Sequence, residues 1–148
     1  MDALKFTPVP WDQIPDLGLY MDQVITFIGR VYAPVYGPDA KGYLSPSMIN
    51  NYVKARLIPK PEGKKYSREQ IARLVMIVAL KQAATMEDIR ALLEPGERRD
   101  ARALYDAFCQ RFSQVLDALD PSPDSALDHA IHAAAYRAGC VAALKNSE

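Results

Sequence analysis

The sequence lacks several features that would place it in a class at once. Its 148 residues include only two cysteines, Cys109 and Cys140, which are too few for a disulfide framework and too far apart for a CxxC pair, so we expect free thiols. No apolar run approaches the ~18 to 20 residues of a membrane helix. The N-terminus, MDALKFTPVPWDQIPDL, has neither the basic nor the apolar region of a signal peptide. We therefore expect a cytoplasmic protein that contacts no membrane.

Net charge is also absent, because 18 Lys and Arg balance 18 Asp and Glu. The charges are unevenly distributed, however. Residues 41–73 contain eight basic and two acidic side chains, a net charge of +6, whereas residues 1–40 and 74–148 each have a net charge of −3. A polyanion responds to the local potential, so the basic segment is a candidate contact surface. The acidic flanks argue against a protein that coats nucleic acid without selection.

Length and composition, with 49% hydrophobic and 24% charged residues, fit one domain or a small domain with an appendage. For the N-terminal part, the sequence predicts an extended arm over 1–19, a helix over 19–28 and a Pro-, Gly- and Tyr-rich loop over 32–43. Three apolar residues would hold the arm to the body: Trp11, Ile14 and Leu17.

Helix caps mark the elements of the basic segment. Ser45 followed by Pro46 predicts the start of a short helix over about 45–56, with an apolar side formed by Met48, Ile49, Tyr52 and Val53. The run KPEGKKY predicts a turn with basic residues at its tip, over about 60–66. Ser67 to Gln70 has the form of a capping box and opens a core helix over 67–83. Thr85 caps a further helix that ends at 94–96.

Two longer helices complete the predicted chain. Residues 100–119 place apolar side chains at three- and four-residue steps: Ala101, Leu104, Phe108, Phe112, Val115 and Leu119. After a Pro-rich turn, the last helix also has apolar side chains at three- and four-residue steps: Leu127, Ile131, Ala134, Ala138 and Val141. We expect a helical hairpin whose alanine-rich face permits close approach. The predicted domains are therefore 1–96, with the arm and the capped helices, and 97–148, with the hairpin.

The order of helix, turn, short helix with a polar face, basic hairpin tip and capped core helix is typical of a winged helix-turn-helix. Residues 43–93, YLSPSMINNYVKARLIPKPEGKKYSREQIARLVMIVALKQAATMEDIRALL, resemble the DNA-binding region of the mercury-resistance-regulator (MerR) family. Ser45-Pro46 and Tyr52 match its recognition helix, and residues 57–59 and 64–67 match its helix exit and wing. The strings MDQVI, MINNYVK, LIPKP and KKYSREQIA resemble even more closely a bacterial domain-of-unknown-function family, family 1836.

These observations predict an all-α fold, a MerR-like winged helix-turn-helix with a small β wing followed by a C-terminal helical hairpin. Its predicted function is that of a sequence-specific DNA-binding transcriptional regulator. Amides of Asn50 and Asn51 suit adenine in a major groove, and nearby cations suit phosphates. The candidate DNA-binding residues are Ser45, Ser47, Asn50, Asn51, Lys54, Arg56, Lys64 and Lys65, with Lys41 as a further phosphate contact.

The expected partners are double-stranded DNA and a second copy of the chain, because one short recognition helix covers only a half-site. Residues 99–145 are the expected place of dimerisation, and a small-molecule effector could bind there. The rival prediction is a protein-interaction module on the same scaffold that has lost DNA binding, which the acidic flanks and Asn50, where the MerR family usually has Arg, favour. That family also has Gly at the position of Arg56, so we expect a different turn geometry there.

Other chemistry finds little support in the sequence. His129 and His132, with Cys140 two turns on, lack a second ligand cluster, so we expect no metal site. Glu87 and Asp88 follow the Thr85 cap and are better explained by the helix dipole than as a catalytic pair. Neither a Ser/His/Asp order nor a Gly-rich phosphate loop is present. We expect no enzymatic activity and no cofactor.

Overall fold

The computed structural model describes residues 6–38, 40–93 and 100–147. A short 3-10 turn at Trp11–Gln13 precedes the regular elements, and another at Pro123–Ser125 precedes the last helix. The elements in chain order are β1 Leu19–Tyr20, α1 Met21–Tyr36, α2 Ala40–Tyr43, α3 Pro46–Lys54, β2 Lys65–Tyr66, α4 Arg68–Leu80, α5 Met86–Leu93, α6 Ala101–Asp117 and α7 Ala126–Asn146.

Helices dominate, and one small antiparallel sheet joins β1 to β2, with Leu19 opposite Tyr66 and Tyr20 opposite Lys65. The prediction of a mostly helical protein with a small β element is confirmed. The sequence did not predict β1, because a two-residue strand is too short to show a period of two. Its pairing brings the end of the N-terminal arm onto the basic segment.

The first helix is longer than predicted, since α1 continues through Pro34 to Tyr36. Tertiary packing explains the difference. Val31 and Tyr32 are buried, and the Tyr32 hydroxyl donates to the Val75 carbonyl of α4. Pro34 lies in the last turn of α1 and is exposed. Proline has no backbone N–H, so the helix loses one hydrogen-bond donor there, at its solvent-facing side. The short α2 occupies the end of the segment predicted as a loop.

Helix α4 is the centre of the core. Ser67 accepts a hydrogen bond from the Gln70 N–H at 3.3 Å, and the Gln70 side chain accepts from the Ser67 N–H at 2.6 Å, so the predicted capping box is confirmed. Burial on more than one side is confirmed as well, and the buried apolar residues of α4 are Ile71, Ala72, Leu74, Val75, Met76, Ile77, Val78 and Ala79.

The N-terminal arm packs on this core through Ile14, which is fully buried, and through Trp11, whose ring lies 5.9 Å from that of Tyr105. The third predicted anchor is wrong, because the Leu17 side chain is 89% exposed. Leu17 is followed by Gly18 at φ +88°, where the chain turns into β1 and directs the preceding side chain to solvent. Phe6, which the sequence did not single out, is buried between Tyr32 and Phe112.

Helix α6 begins after Asp100, whose side chain accepts from the Arg102 N–H at 3.2 Å. Its most buried residues are Tyr105, Cys109 and Leu116, so the buried face lies one position away from the predicted apolar stripe. The Tyr105 hydroxyl donates to the Val9 carbonyl at 2.6 Å, which lets a polar side chain occupy the core and shifts the face. Residues at the predicted positions 104, 108 and 112 are half-buried beside it.

Helix α7 departs most from the prediction, because none of its residues is buried. Leu127 and Ile131, expected on a packed face, are 73% and 57% exposed. The predicted helix end at 94–96 and the domain boundary at 96/97 lie outside the described residues. Within the described ranges, no helix has the length and apolar content needed to span a bilayer.

Candidate nucleic-acid interface

The short helix α3 carries most of the candidate residues. The Ser45 hydroxyl caps it by accepting a hydrogen bond from the Met48 N–H at 3.2 Å, and Pro46 occupies its first position, as predicted. Ile49 and Tyr52 are buried and Met48 and Val53 are half-buried, so the predicted apolar side faces the core. The Ser45 hydroxyl is therefore engaged in capping, and its side chain is half-buried.

The opposite side of α3 is polar and exposed. Ser47, Asn50, Asn51 and Lys54 recur at steps of three and four residues, which places them on one stripe of the helix. All four side chains are exposed. The structure thus brings together four of the eight predicted residues on one surface.

Helix α3 ends in a Schellman motif centred on Arg56. The Arg56 N–H donates to the Val53 carbonyl at 3.0 Å, and the Leu57 N–H donates to the Tyr52 carbonyl at 2.9 Å. Arg56 takes the position that glycine usually occupies and has φ +61°. The expected change of turn geometry is therefore wrong: the left-handed turn forms with arginine. Packing supports it, because Tyr52 and Leu57 on either side are both buried.

Two guanidinium groups hold this helix exit. Arg73 on α4 donates to the Leu57 carbonyl at 3.2 Å, and Arg90 on α5 donates to the Ala55 carbonyl. Both carbonyls lie beyond the hydrogen-bonded part of α3 and need such partners. The left-handed conformation at Arg56 is thus fixed by two neighbouring helices, and the Arg56 side chain is left exposed.

The basic turn forms between Glu62 and Lys65, whose backbone groups bond at 3.2 Å. Gly63 supplies the positive φ of +60° that the turn requires. Lys64 and Lys65 are both exposed, and the Lys65 ammonium lies 5.5 Å from the centroid of the Tyr20 ring. The predicted hairpin tip is present, but its continuing strand, β2, pairs with β1 at the end of the arm.

Gln70 fixes the entry of the turn to the core. Its side-chain amide donates to the Pro59 carbonyl at 2.9 Å while the same side chain completes the α4 cap. Gln70 is 5% exposed, and among the described residues it is the one polar or charged residue classed as buried. The turn therefore has a defined position relative to the core.

The cations of the basic segment fall into two groups. Arg68 and Arg73 serve the fold: Arg68 donates to the Ile14 carbonyl at 2.8 Å and lies 3.8 Å from the Asp16 carboxylate, and Arg73 supports the α3 exit. The remaining described cations are exposed and take part in none of the ion pairs found among the described residues: Lys54, Arg56, Lys60, Lys64 and Lys65. Lys60 was missing from the prediction, although its place in KPEGKK was a signal. The Lys41 side chain lies outside what the structure describes.

A mostly apolar cavity of about 650 Å³ joins the two parts of the surface. Pro46, at the start of α3, lines it together with Gly63 and Lys64 of the turn. Met21 and Ile25 of α1 contribute to its floor. The first turn of α3, through Pro46, and the basic turn, through Gly63 and Lys64, therefore flank one depression.

The other candidate residues have local partners. One ring nitrogen of His129 lies 2.7 Å from the Asp120 carbonyl oxygen, and His132 Nδ1 lies 3.3 Å from the Asp128 carboxylate. The Thr85 hydroxyl accepts from the Asp88 N–H at 3.1 Å, so Asp88 belongs to the first turn of α5, as expected.

The loop tyrosines pack on one another. The Tyr36 ring lies 5.7 Å from that of Tyr32 and 6.0 Å from that of Tyr43, and burial raises the pKa of Tyr36. These contacts explain the aromatic residues around the predicted loop as packing.

Comparison with known proteins gives one match to a protein family. Residues 9–108 match the domain of unknown function DUF1836, and the match covers more than half of the chain, including α1 to α5 and the basic turn. No curated protein and no solved structure matches the chain significantly. The chain belongs to the DUF1836 family.

Proposed function

We propose that the protein is a sequence-specific DNA-binding transcriptional regulator of the winged helix-turn-helix class, with α3 as recognition helix and the Glu62–Lys65 turn as wing. The observation that supports the proposal is that the cations of the basic segment fall into two groups, one bound within the fold and one exposed. Those that pack have internal partners, whereas Lys54 lies exposed on the polar stripe of α3 and Lys64 of the turn lines one cavity with Pro46 at the start of that helix. This combination suits a groove bordered by phosphates.

Base reading falls to the centre of α3. A major groove admits one α-helix, and an amide side chain can donate to and accept from the edge of adenine in a bidentate contact. Asn50 and Asn51 are exposed on the stripe that also carries Ser47. An A·T base pair in each half-site is the expected sequence preference.

Phosphate contacts fall to the two ends of this surface. Lys54 and Arg56 lie at the C-terminal end of α3, and Lys64 and Lys65 lie on the turn. Cations on both sides of a recognition helix can bind the two backbones that border a groove, which fixes register without reading sequence. The left-handed conformation at Arg56 supports this role, because strained backbone is often retained where a side chain has to be presented.

The proposal is tested by selecting tagged protein on a library of random DNA duplexes and sequencing the retained fraction. We expect one enriched A·T-containing motif. Lys64→Glu with Lys65→Glu should abolish retention of that motif and leave the thermal melt unchanged, because both side chains are exposed. The matched control, Lys81→Glu with Arg111→Glu, makes the same change of charge at two exposed sites outside this surface and should retain the motif. Equal retention by both double variants would contradict the proposed wing.

The rival function is a protein-interaction module, and the apolar cavity between α3 and the turn favours it. Met21, Ile25 and Tyr66 would contact an apolar side chain of a protein partner there, whereas DNA offers mainly phosphates and sugars. The same selection separates the two functions. If no duplex is retained even at low salt, where phosphate contacts are strongest, the interaction module is the better explanation.

A further inference from the structure

The cavity between α3 and the basic turn has more apolar surface than contact with a phosphate requires. Its volume of about 650 Å³ lies within the ~300 to 1,000 Å³ of pockets that hold small organic molecules. A phosphate bound by Lys64 would leave the floor of the cavity, Met21 and Ile25, uncovered. The proposed DNA contacts therefore do not account for this part of the surface.

The apolar lining of the cavity comes from several elements. Met21 and Ile25 belong to α1, Pro61 immediately precedes the basic turn, and Tyr66 belongs to β2. Tyr66 is buried, whereas Met21, Ile25 and Pro61 are half-buried. A ligand in the cavity would remove their remaining apolar area from water, which is the main favourable contribution to binding in such a site.

The charges around the cavity favour an anion. Among the described lining residues, the charged ones are Lys64 and Asp22. A second ammonium, that of Lys65, lies 5.5 Å from the centroid of the Tyr20 ring, and Tyr20 itself lines the cavity. Asp22 lies in the first turn of α1, where the positive end of the helix dipole offsets part of its charge. The rim of the cavity is therefore positive on balance.

We propose that this cavity binds a small organic anion, with an apolar body against Met21 and Ile25 and a carboxylate at Lys64. The consequence for regulation rests on the proposed function, in which the Lys64 ammonium also contacts a DNA phosphate. Ligand and duplex then compete for the same ammonium, because two anions cannot both pair closely with it. Occupation of the cavity thus releases the protein from DNA.

The first test is a titration of the full-length protein with naphthoate, without DNA, followed by the NMR signals of its backbone amides. Naphthamide has nearly the same shape and no charge, so it is the matched probe. We expect naphthoate to shift the signals of Met21, Ile25 and Lys64, with a dissociation constant about two- to fivefold lower than that of naphthamide at low salt. Absence of naphthoate binding would overturn the site. Equal affinity for both probes would overturn the anionic ligand and favour an apolar side chain of a protein partner.

The second test removes the charge at the rim. Lys64→Gln should raise the dissociation constant of naphthoate to that of naphthamide and leave that of naphthamide unchanged. Lys60→Gln makes the same change at an exposed lysine that lines a different depression, beside Glu69, and should retain the preference for naphthoate. Equal loss of preference in both variants would contradict a carboxylate contact at Lys64.

The third test changes the apolar floor. Ile25→Glu should abolish binding of both probes, because a carboxylate replaces apolar surface and repels an anion. The thermal melt shows whether this variant is folded at the assay temperature, and Met21→Glu takes its place if it is not. Ile131→Glu is the control, since Ile131 is 57% exposed on α7. Loss of binding in Ile131→Glu, with binding retained in the floor variant, would place the probe on α7 and overturn the site.

The last test measures competition with the selected duplex by fluorescence anisotropy. Naphthoate at ten times its dissociation constant should raise the apparent dissociation constant of the duplex by about elevenfold if the two ligands exclude each other. Acetate at the same concentration controls for ionic strength, because it has no apolar body and duplex affinity depends on salt. An unchanged duplex affinity in naphthoate would overturn the competition. If the protein binds no duplex, the proposed function fails, and the titration without DNA still decides whether the cavity binds an organic anion.

Discussion

Arg90 on α5 donates a hydrogen bond to the carbonyl oxygen of Ala55 at the C-terminus of α3. The next residue, Arg56, has the left-handed conformation, and the residue after it, Leu57, is held in turn by Arg73. One turn of chain thus receives support from both α4 and α5. The orientation of the polar face of α3 is therefore set by the core, although α3 itself has only nine residues.

Arg56→Gly should stabilise the protein and weaken DNA binding. The left-handed conformation destabilises a residue that has a Cβ by about 1 to 2 kcal/mol, and glycine avoids this cost. Glycine also loses more conformational entropy on folding than arginine does, which offsets part of the gain in stability. We expect the free energy of unfolding in urea to rise by up to about 1 kcal/mol. Arg56→Ala removes the same charge without relieving the backbone, so it should weaken duplex binding equally and leave stability near that of the wild type. A less stable glycine variant would contradict the role of strain.

Gln70→Leu should lower the free energy of unfolding by about 1 to 3 kcal/mol, because two part-buried hydrogen bonds are lost, one to the Pro59 carbonyl and one from the Ser67 N–H. The thermal melt measures the loss. Gln82→Leu is the matched control, since Gln82 lies exposed in the turn after α4 and its side chain donates to the Val78 carbonyl of α4 at 3.4 Å. The control should remain within about 0.5 kcal/mol of the wild type. Similar losses in both variants would show that Gln70 has no special role in holding the turn.

The salt dependence of duplex affinity should report the number of phosphate contacts. If the exposed cations of α3 and the turn each bind one phosphate, each contributes about −0.9 to the slope of log K against log salt concentration. Lys54→Ala should reduce the magnitude of the slope by about 0.9. Asn50→Ala removes a neutral side chain, so it should lower affinity for the selected motif and leave the slope unchanged. A fluorescence anisotropy titration at several salt concentrations measures both, and equal slopes for Lys54→Ala and the wild type would exclude a phosphate contact at Lys54.

Alkaline pH should destabilise the protein through Cys109. Burial raises the pKa of the Cys109 thiol from 9.0 to about 11, so the folded state keeps its proton at a pH where the unfolded state has lost it. Stability is therefore independent of this group below pH 9.0 and falls as the pH rises from 9.0 towards about 11, by at most about 1.4 kcal/mol per pH unit.

Cys109→Ala should flatten this fall when urea denaturation is compared at several pH values. The comparison uses slopes, because removal of the sulfur also leaves a small cavity that lowers stability at every pH. Burial likewise raises the pKa of Tyr105, which remains in the variant and adds its own loss at higher pH. A Cys109→Ala variant with the wild-type slope would contradict the assignment to this thiol.

Much of the fold could be predicted where local chemistry decides the structure. Ser45, Ser67 and Thr85 cap helices because a hydroxyl before a helical run satisfies free N–H groups, and that signal depends only on neighbours in sequence. The apolar side of α3 follows from the same kind of local spacing. Its exposed polar stripe could be predicted as the complement of that side.

Other features depended on partners distant in sequence. Helix α1 continues past its predicted end because Tyr32 is buried against α4, and the buried face of α6 is shifted because Tyr105 bonds to Val9 in the arm. The spacing of apolar residues along the sequence cannot reveal either of these two hydrogen bonds, because each joins residues that are far apart in the chain. The division of the basic segment into internal and exposed cations likewise depends on the carbonyls that Arg68 and Arg73 reach.

By itself, the sequence determined the helix boundaries marked by caps, the composition of the α3 face and the concentration of positive charge between two acidic flanks. The absence of net charge thus concealed a local excess, which charge counting along the chain could reveal. Only the tertiary structure decided that arginine occupies a glycine-type turn, that β1 pairs with β2 and that the apolar stripe of α7 is left uncovered within one chain. Those outcomes depend on contacts between residues distant in sequence. A local pattern shows that a side chain or a backbone group needs a partner, but only the packed core determines whether that partner is present.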